Sequence, residues 1–240
     1  FDVNGDVLRY ENGTPFGLAN VCRDITERKK AEQALKVSEH SFRMLASYHE
    51  QLNAISITFT ETGSMKELHE KIAVSLRLLT NALATSLAVY SPSTRELTVS
   101  SLSLDSQASD VASVFFGPEV FEMRMPVSSD NLDQMLRERI QRPKDLHELS
   151  FGAIPTELSD VVMAAAGLRQ IIALPVIYAE EILGTCVIYL GEGQEVVPDD
   201  ALRTFTYMTG MAIVRRRSQE ALQRAHAELE QRVTERTYEL

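Results

Sequence analysis

Two long stretches without a helix breaker bracket this chain, and they limit its fold more than any other feature. From Glu27 to about Phe59 there is no glycine or proline, and Ala, Glu, Lys, Gln and Leu predominate, all good helix formers. Pro198-Asp199-Asp200 opens a second helical run that meets Gly210 and continues toward Leu240. In the first run Leu45, Tyr48, Leu52, Ile55 and Phe59 are spaced by alternating threes and fours, the pattern of a coiled-coil seam. Phe42, Leu45 and Tyr48 follow one another by threes, which shifts the stripe by one place. In the second run Leu222, Ala225 and Leu229 fit one seam, and Val233 and Leu240 fit another offset by four. Such stripes predict either a partner helix or, for the part after Leu45, an amphipathic helix laid on its own domain. The alternative for the C-terminal stretch is a helix with an ordinary charged surface.

Between the two runs the chain alternates strand-like and irregular segments. Glu61-Thr62-Gly63 breaks the first helix, and Ser64-Met65-Lys66-Glu67 reads as a capping box opening a helix to about Leu79. Ser86 to Tyr90 and Glu96 to Leu102 read as strands around a Ser91-Pro92-Ser93-Thr94 turn. Val120 to Val127 reads as a third strand, and Ser129 or Asp130 as the cap of a short helix through Ile140. An irregular stretch from Gln141 to Ile154 follows, then a short helix from Pro155 that Gly167 ends. Arg169 to Ile177 and Ile182 to Leu190 are apolar strands joined by Tyr178-Ala179-Glu180-Glu181. At the start, Phe1 to Tyr10 and Phe16 to Cys22 flank Glu11-Asn12-Gly13-Thr14-Pro15, a strong hairpin signal.

Composition excludes some functions. At 240 residues, 44% hydrophobic and 24% charged, the chain suits one full folded domain with helical extensions. A net charge of -10 and a pI near 5.1 argue against nucleic-acid binding. Cys22 and Cys186 are far apart and form no metal spacing, which points to a reduced, cytoplasmic setting. No apolar run is long enough to span a membrane.

Asp24-Ile25-Thr26-Glu27-Arg28-Lys29-Lys30-Ala31-Glu32 resembles the junction that ends a PAS sensor domain and starts a signalling helix. With the hairpin before it, the resemblance implies the last hairpin of a PAS domain whose front lies outside the chain. Leu174-Pro175-Val176, Ile182-Leu183-Gly184-Thr185-Cys186-Val187-Ile188-Tyr189-Leu190, Asp199-Asp200 and the helix from Phe205 to Val214 occur in the order found in GAF domains. That resemblance implies an α+β fold with a central antiparallel sheet, helices on one face and a ligand pocket on the other, flanked by long signalling helices. Leu229-Glu230-Gln231-Arg232-Val233-Thr234-Glu235-Arg236-Thr237 is similar to linker helices of sensor histidine kinases. The expected organisation is a PAS hairpin over 1–26, a linker helix over 27–44, a GAF domain over 45–216 and a coiled-coil linker over 217–240. The resemblance implies a relay module of a two-component histidine kinase, homodimeric through its N- and C-terminal helices and joined to an output domain further along the parent chain.

Catalytic constellations are not found. His147-Glu148-Leu149-Ser150 departs from the phosphoacceptor box of histidine kinases after Ser150, and His69-Glu70 lacks the second histidine of a zinc-protease helix. The cyclic-nucleotide pattern and the bilin-holding Cys-His pair known in GAF domains are absent. The candidate pocket residues are His147, Cys186, Phe116 and Phe151. Haem is the candidate cofactor, with His147 or Cys186 as iron ligand and the phenylalanines as apolar walls. Against this stand a surface role for His147 and simple packing for Cys186. A ligand-free GAF dimerisation scaffold and a haem-based redox or gas sensor are the rival functions.

Overall fold

The computed structural model describes residues 2–23, 25–105 and 121–238. It divides into two compact units, residues 1–49 and 50–240. The first holds an antiparallel hairpin, β1 (Asp2–Arg9) and β2 (Pro15–Arg23), and the start of helix α1 (Thr26–Thr60). The hairpin turn is closed by Tyr10 N–H donating to Thr14 O at 2.8 Å and by Thr14 N–H donating to Asn12 Oδ1 at 3.0 Å. Gly13 sits there at φ 83°, a conformation that costs glycine little. Pro15 begins β2, where its missing N–H is tolerated.

The second unit is built on a five-stranded antiparallel sheet in the order β5-β4-β3-β7-β6. Its strands are β3 (Ala84–Ser91), β4 (Glu96–Leu104), β5 (Arg124–Pro126), β6 (Leu168–Tyr178) and β7 (Glu181–Gly191). The strand expected over Val120–Val127 is thus far shorter among the described residues. Ala179 and Glu180 both take positive φ between β6 and β7, the geometry of a two-residue type I′ turn. Gly184 is required by close approach: a Cβ there would lie 2.2 Å from the Ala88 carbonyl oxygen on β3.

One face of the sheet is covered by α2 (Met65–Thr80) and by the long α6 (Asp199–Tyr238). The end of α1 joins this layer, burying Leu52, Ile55 and Phe59, and Phe59 meets Phe205 edge-to-face at 6.1 Å. Burial of an aromatic pair is a large apolar contribution with a geometric preference of its own. Ser64 caps α2 by accepting from Glu67 N–H at 3.2 Å. The reciprocal bond goes one residue further back than in a capping box: Glu67 Oε2 accepts from Gly63 N–H at 2.7 Å. That bond, with the Lys71 ammonium 3.0 Å away, holds the Glu67 carboxyl below its ordinary range. The three helices are stitched together where α1 ends: Met65 N–H donates to Glu220 Oε1 at 2.9 Å, and Arg216 donates to Thr62 Oγ1 at 3.2 Å. Arg216 therefore makes a structural contact.

Helix α6 passes Gly210 without interruption, and the backbone of β6 comes close there. A Cβ at Gly210 would stand 3.3 Å from the Ile177 carbonyl oxygen of β6. Beyond the domain its seam residues are uncovered, with Leu222, Leu229 and Val233 at 72%, 61% and 58% exposure. No described helix is long and apolar enough to cross a membrane.

A cavity on the free face of the sheet

The face opposite α2 and α6 carries short helices: α3 (Ser129–Arg137), α4 (Leu146–Leu149) and α5 (Thr156–Ala165). Ser128, rather than Ser129 or Asp130, caps α3, in a reciprocal box with Asn131. Asp145 caps the single turn of α4, accepting from Glu148 N–H at 2.8 Å, so the segment around His147 is not wholly irregular. Between these helices and the sheet lies a cavity of about 420 Å³.

Its floor follows from strand alternation. On β3 every second residue faces it, and these are Ala84, Ser86 and Ala88. On β7 the lining residues are Thr185, Val187 and Tyr189, and on β6 Ala173 contributes. The pairing sets Ala84 opposite Tyr189, Ser86 opposite Val187 and Ala88 opposite Thr185. Small side chains on the central strands leave the hollow, and larger apolar groups close it from above. Met123, Met125 and Met135 supply much of that wall, and unbranched thioethers adapt to irregular shapes.

Polar groups on the floor are hydroxyls. Ser86 Oγ and Tyr189 OH are 3.3 Å apart. Burial pushes the Tyr189 phenol up, and the bond to Ser86 offsets this only in part, so it stays protonated. Thr185 is buried, and its Oγ1 has no hydrogen-bond partner among the described residues. Charged groups lie at the rim and are engaged: Arg142 pairs with Asp199 at 2.9 Å, Glu148 Oε2 accepts from Lys144 N–H at 3.0 Å, and Glu138 accepts from Gln134 at 3.0 Å.

Of the pocket candidates read from sequence, Phe151 lines the cavity, held at φ 53° between α4 and α5. Phe116 lies outside the described residues. Cys186 is fully buried on β7 between Leu87 and Leu174, and the alternation that aims Thr185 and Val187 at the cavity turns it to the helix face. Desolvation pushes its thiol up to about 12. His147 lies on α4. The lining runs through Leu146, Glu148 and Leu149 and passes over it. Its Nδ1 lies 2.8 Å from the Ile154 carbonyl, which can only accept, so Nδ1 carries the proton and fastens the loop. His69, on α2, is tied to Ser100 Oγ at 2.6 Å, and burial, then the Arg217 charge, lowers its pKa.

Among the described residues neither His147 nor Cys186 lines the cavity and the floor carries no cation for propionates, so these residues do not fit a haem, although three methionines and Tyr189 reach the wall. Among the described residues no cluster of three metal-ligating side chains occurs. The floor triad of Ala84, Ser86 and Ala88 escaped the sequence reading, although small residues at every second position of a strand were its available signal.

No family model and no curated protein matches the sequence. Solved structures do match. The crystal structure of bacteriophytochrome RpBphP3 from R. palustris superposes on 96% of this chain with a TM-score of 0.56 at 10% identity. The chromophore-binding domain of the same protein covers 90% of this chain at a TM-score of 0.53 and 11% identity. The GAF domain of an Acinetobacter phosphoenolpyruvate-protein phosphotransferase covers 73% at 0.51 and 10%. The second unit has a GAF-like fold. At these identities the likeness is one of fold. The chain spans 98% of the Acinetobacter domain, 70% of the chromophore-binding domain and 45% of the longer bacteriophytochrome structure.

Proposed function

We propose that this GAF-like unit is a cytoplasmic ligand-sensing relay of a signal-transduction protein, in the setting of a two-component histidine kinase. The observation that carries the reading is the division of labour across one sheet. A cavity of about 420 Å³ occupies one face, and α2 and the long α6 pack on the other. Thr185 and Cys186 are neighbours on β7 that serve opposite faces. Occupation of the cavity would bias the sheet between two arrangements, and α6 would carry the bias outward. The uncovered seam at Leu222, Leu229 and Val233 supports a parallel homodimer as the carrier. The PAS hairpin, the kinase output and the linker roles of residues 27–44 and 217–240 belong to this proposal.

The test uses this chain, purified and exposed to a metabolite extract. Mass spectrometry should show a retained small molecule, and amide exchange in α6 around Arg216–Glu220 should change when it binds. Ala88→Phe, which fills the floor, should abolish both effects while the protein stays folded. A wild-type protein that retains nothing and shows unchanged exchange overturns the reading. The exposed seam favours one rival, a ligand-free dimerisation scaffold, which predicts a dimer under that same result.

A further inference from the structure

The hydroxyls on the cavity floor restrict what the cavity can hold. Ser86, Thr185 and Tyr189 carry one O–H each, and each hydroxyl also accepts. The contact between Ser86 and Tyr189 uses one of the three protons; Thr185 Oγ1 has no partner among the described residues and is sealed from the cavity in this rotamer, so a ligand oxygen would meet it after a rotamer change. The register places Thr185 and Tyr189 diagonally on either side of Ser86, since Ser86 sits between Ala84 and Ala88, whose partners are Tyr189 and Thr185. A buried hydroxyl left without a partner is costly, and a change of staggered rotamer exchanges the methyl and hydroxyl positions of a threonine. Around this cluster the wall is apolar: Val187, Ala173, Leu97, Val99 and the methionines. Among the described residues no charged side chain reaches the floor, and the rim charges Glu138, Arg142 and Glu148 already have partners. A charged ligand would lose its hydration without compensation there.

We infer that the cavity takes an uncharged, predominantly apolar molecule with a single hydroxyl or carbonyl oxygen, and that this oxygen sits against the Thr185–Ser86–Tyr189 cluster. This rests on the ligand-sensing reading and narrows it to one chemical class. The three-methionine wall suits a rigid hydrocarbon body whose outline need not be matched in advance.

A matched set of probes tests it by calorimetry on the whole chain at neutral pH: naphthalene, 2-naphthol and 2-naphthoate. Wild type should bind 2-naphthol about three- to tenfold more tightly than naphthalene, the worth of one neutral hydrogen bond. It should bind 2-naphthoate at least about tenfold more weakly than 2-naphthol. Thr185→Val should make naphthol and naphthalene about equal without weakening naphthalene, and Thr185→Ser should restore the preference. Naphthoate binding as well as naphthol, or a preference that survives Thr185→Val, overturns the inference and leaves the sensing reading standing. Failure of all three probes also overturns it. If a metabolite is nevertheless retained from extract, only the ligand class was wrong; if none is, both readings fall together.

Discussion

The two faces of one sheet in this protein follow opposite packing rules. On the helix side Leu87, Leu174, Cys186 and Ile188 have 1% exposure or less, and Phe205 of α6 is sealed against Phe59 of α1. On the other side the same strands present Ala84, Ser86, Ala88 and Ala173 around a hollow. The contrast separates what holds the unit together from what is free to respond. Dense packing transmits strain, since interiors have few voids and low compressibility. A cavity on the reverse of a densely packed layer is placed to perturb that layer.

Three substitutions probe the contrast, each by urea unfolding followed by circular dichroism. Phe205→Ala strikes the dense side and should cost about 3–5 kcal/mol, the loss expected for a large aromatic removed from a packed core. A cost under about 1 kcal/mol would mean that face is looser than its burial indicates. Cys186→Ser keeps the volume but puts a hydroxyl among Leu87, Leu174 and the helices. It should cost about 1–3 kcal/mol, the penalty for a buried polar group without a partner. Thr185→Val makes the converse change one residue away on the cavity side. With no partner for Oγ1 to lose, it should change stability by less than about 0.5 kcal/mol or raise it. If Thr185→Val were as damaging as Cys186→Ser, the two faces would not differ as described.

Much of this fold was legible in the chain. The long helices were visible as runs without breakers, and β6 and β7 as apolar segments around a short turn, because local propensity and periodicity decide them. The GAF-like resemblance rested on Leu174-Pro175-Val176 and Ile182-Leu183-Gly184, and Gly184 has a physical reason to be glycine in its near-contact with Ala88. The candidate site was read less well. His147 and Cys186 drew attention because their side chains are reactive, yet one fastens a loop and the other packs against helices. The residues that form the floor are small or hydroxylated and carry no reactive signature. The short β5 was overread because apolar residues near a cavity resemble a strand on composition alone.

The sequence by itself determined the long helices and the main strands, and that Thr185 and Cys186 must point to opposite faces, since side chains on a strand alternate. Tertiary structure decided which of those faces is hollow. That depended on β3 pairing with β7 in the register that sets Ala88 against Thr185, on α2 and α6 filling one side, and on Met123, Met125 and Met135 closing the other. An antiparallel register joins residues about a hundred positions apart. No local pattern encodes it, because it is fixed by the burial of whole faces at once.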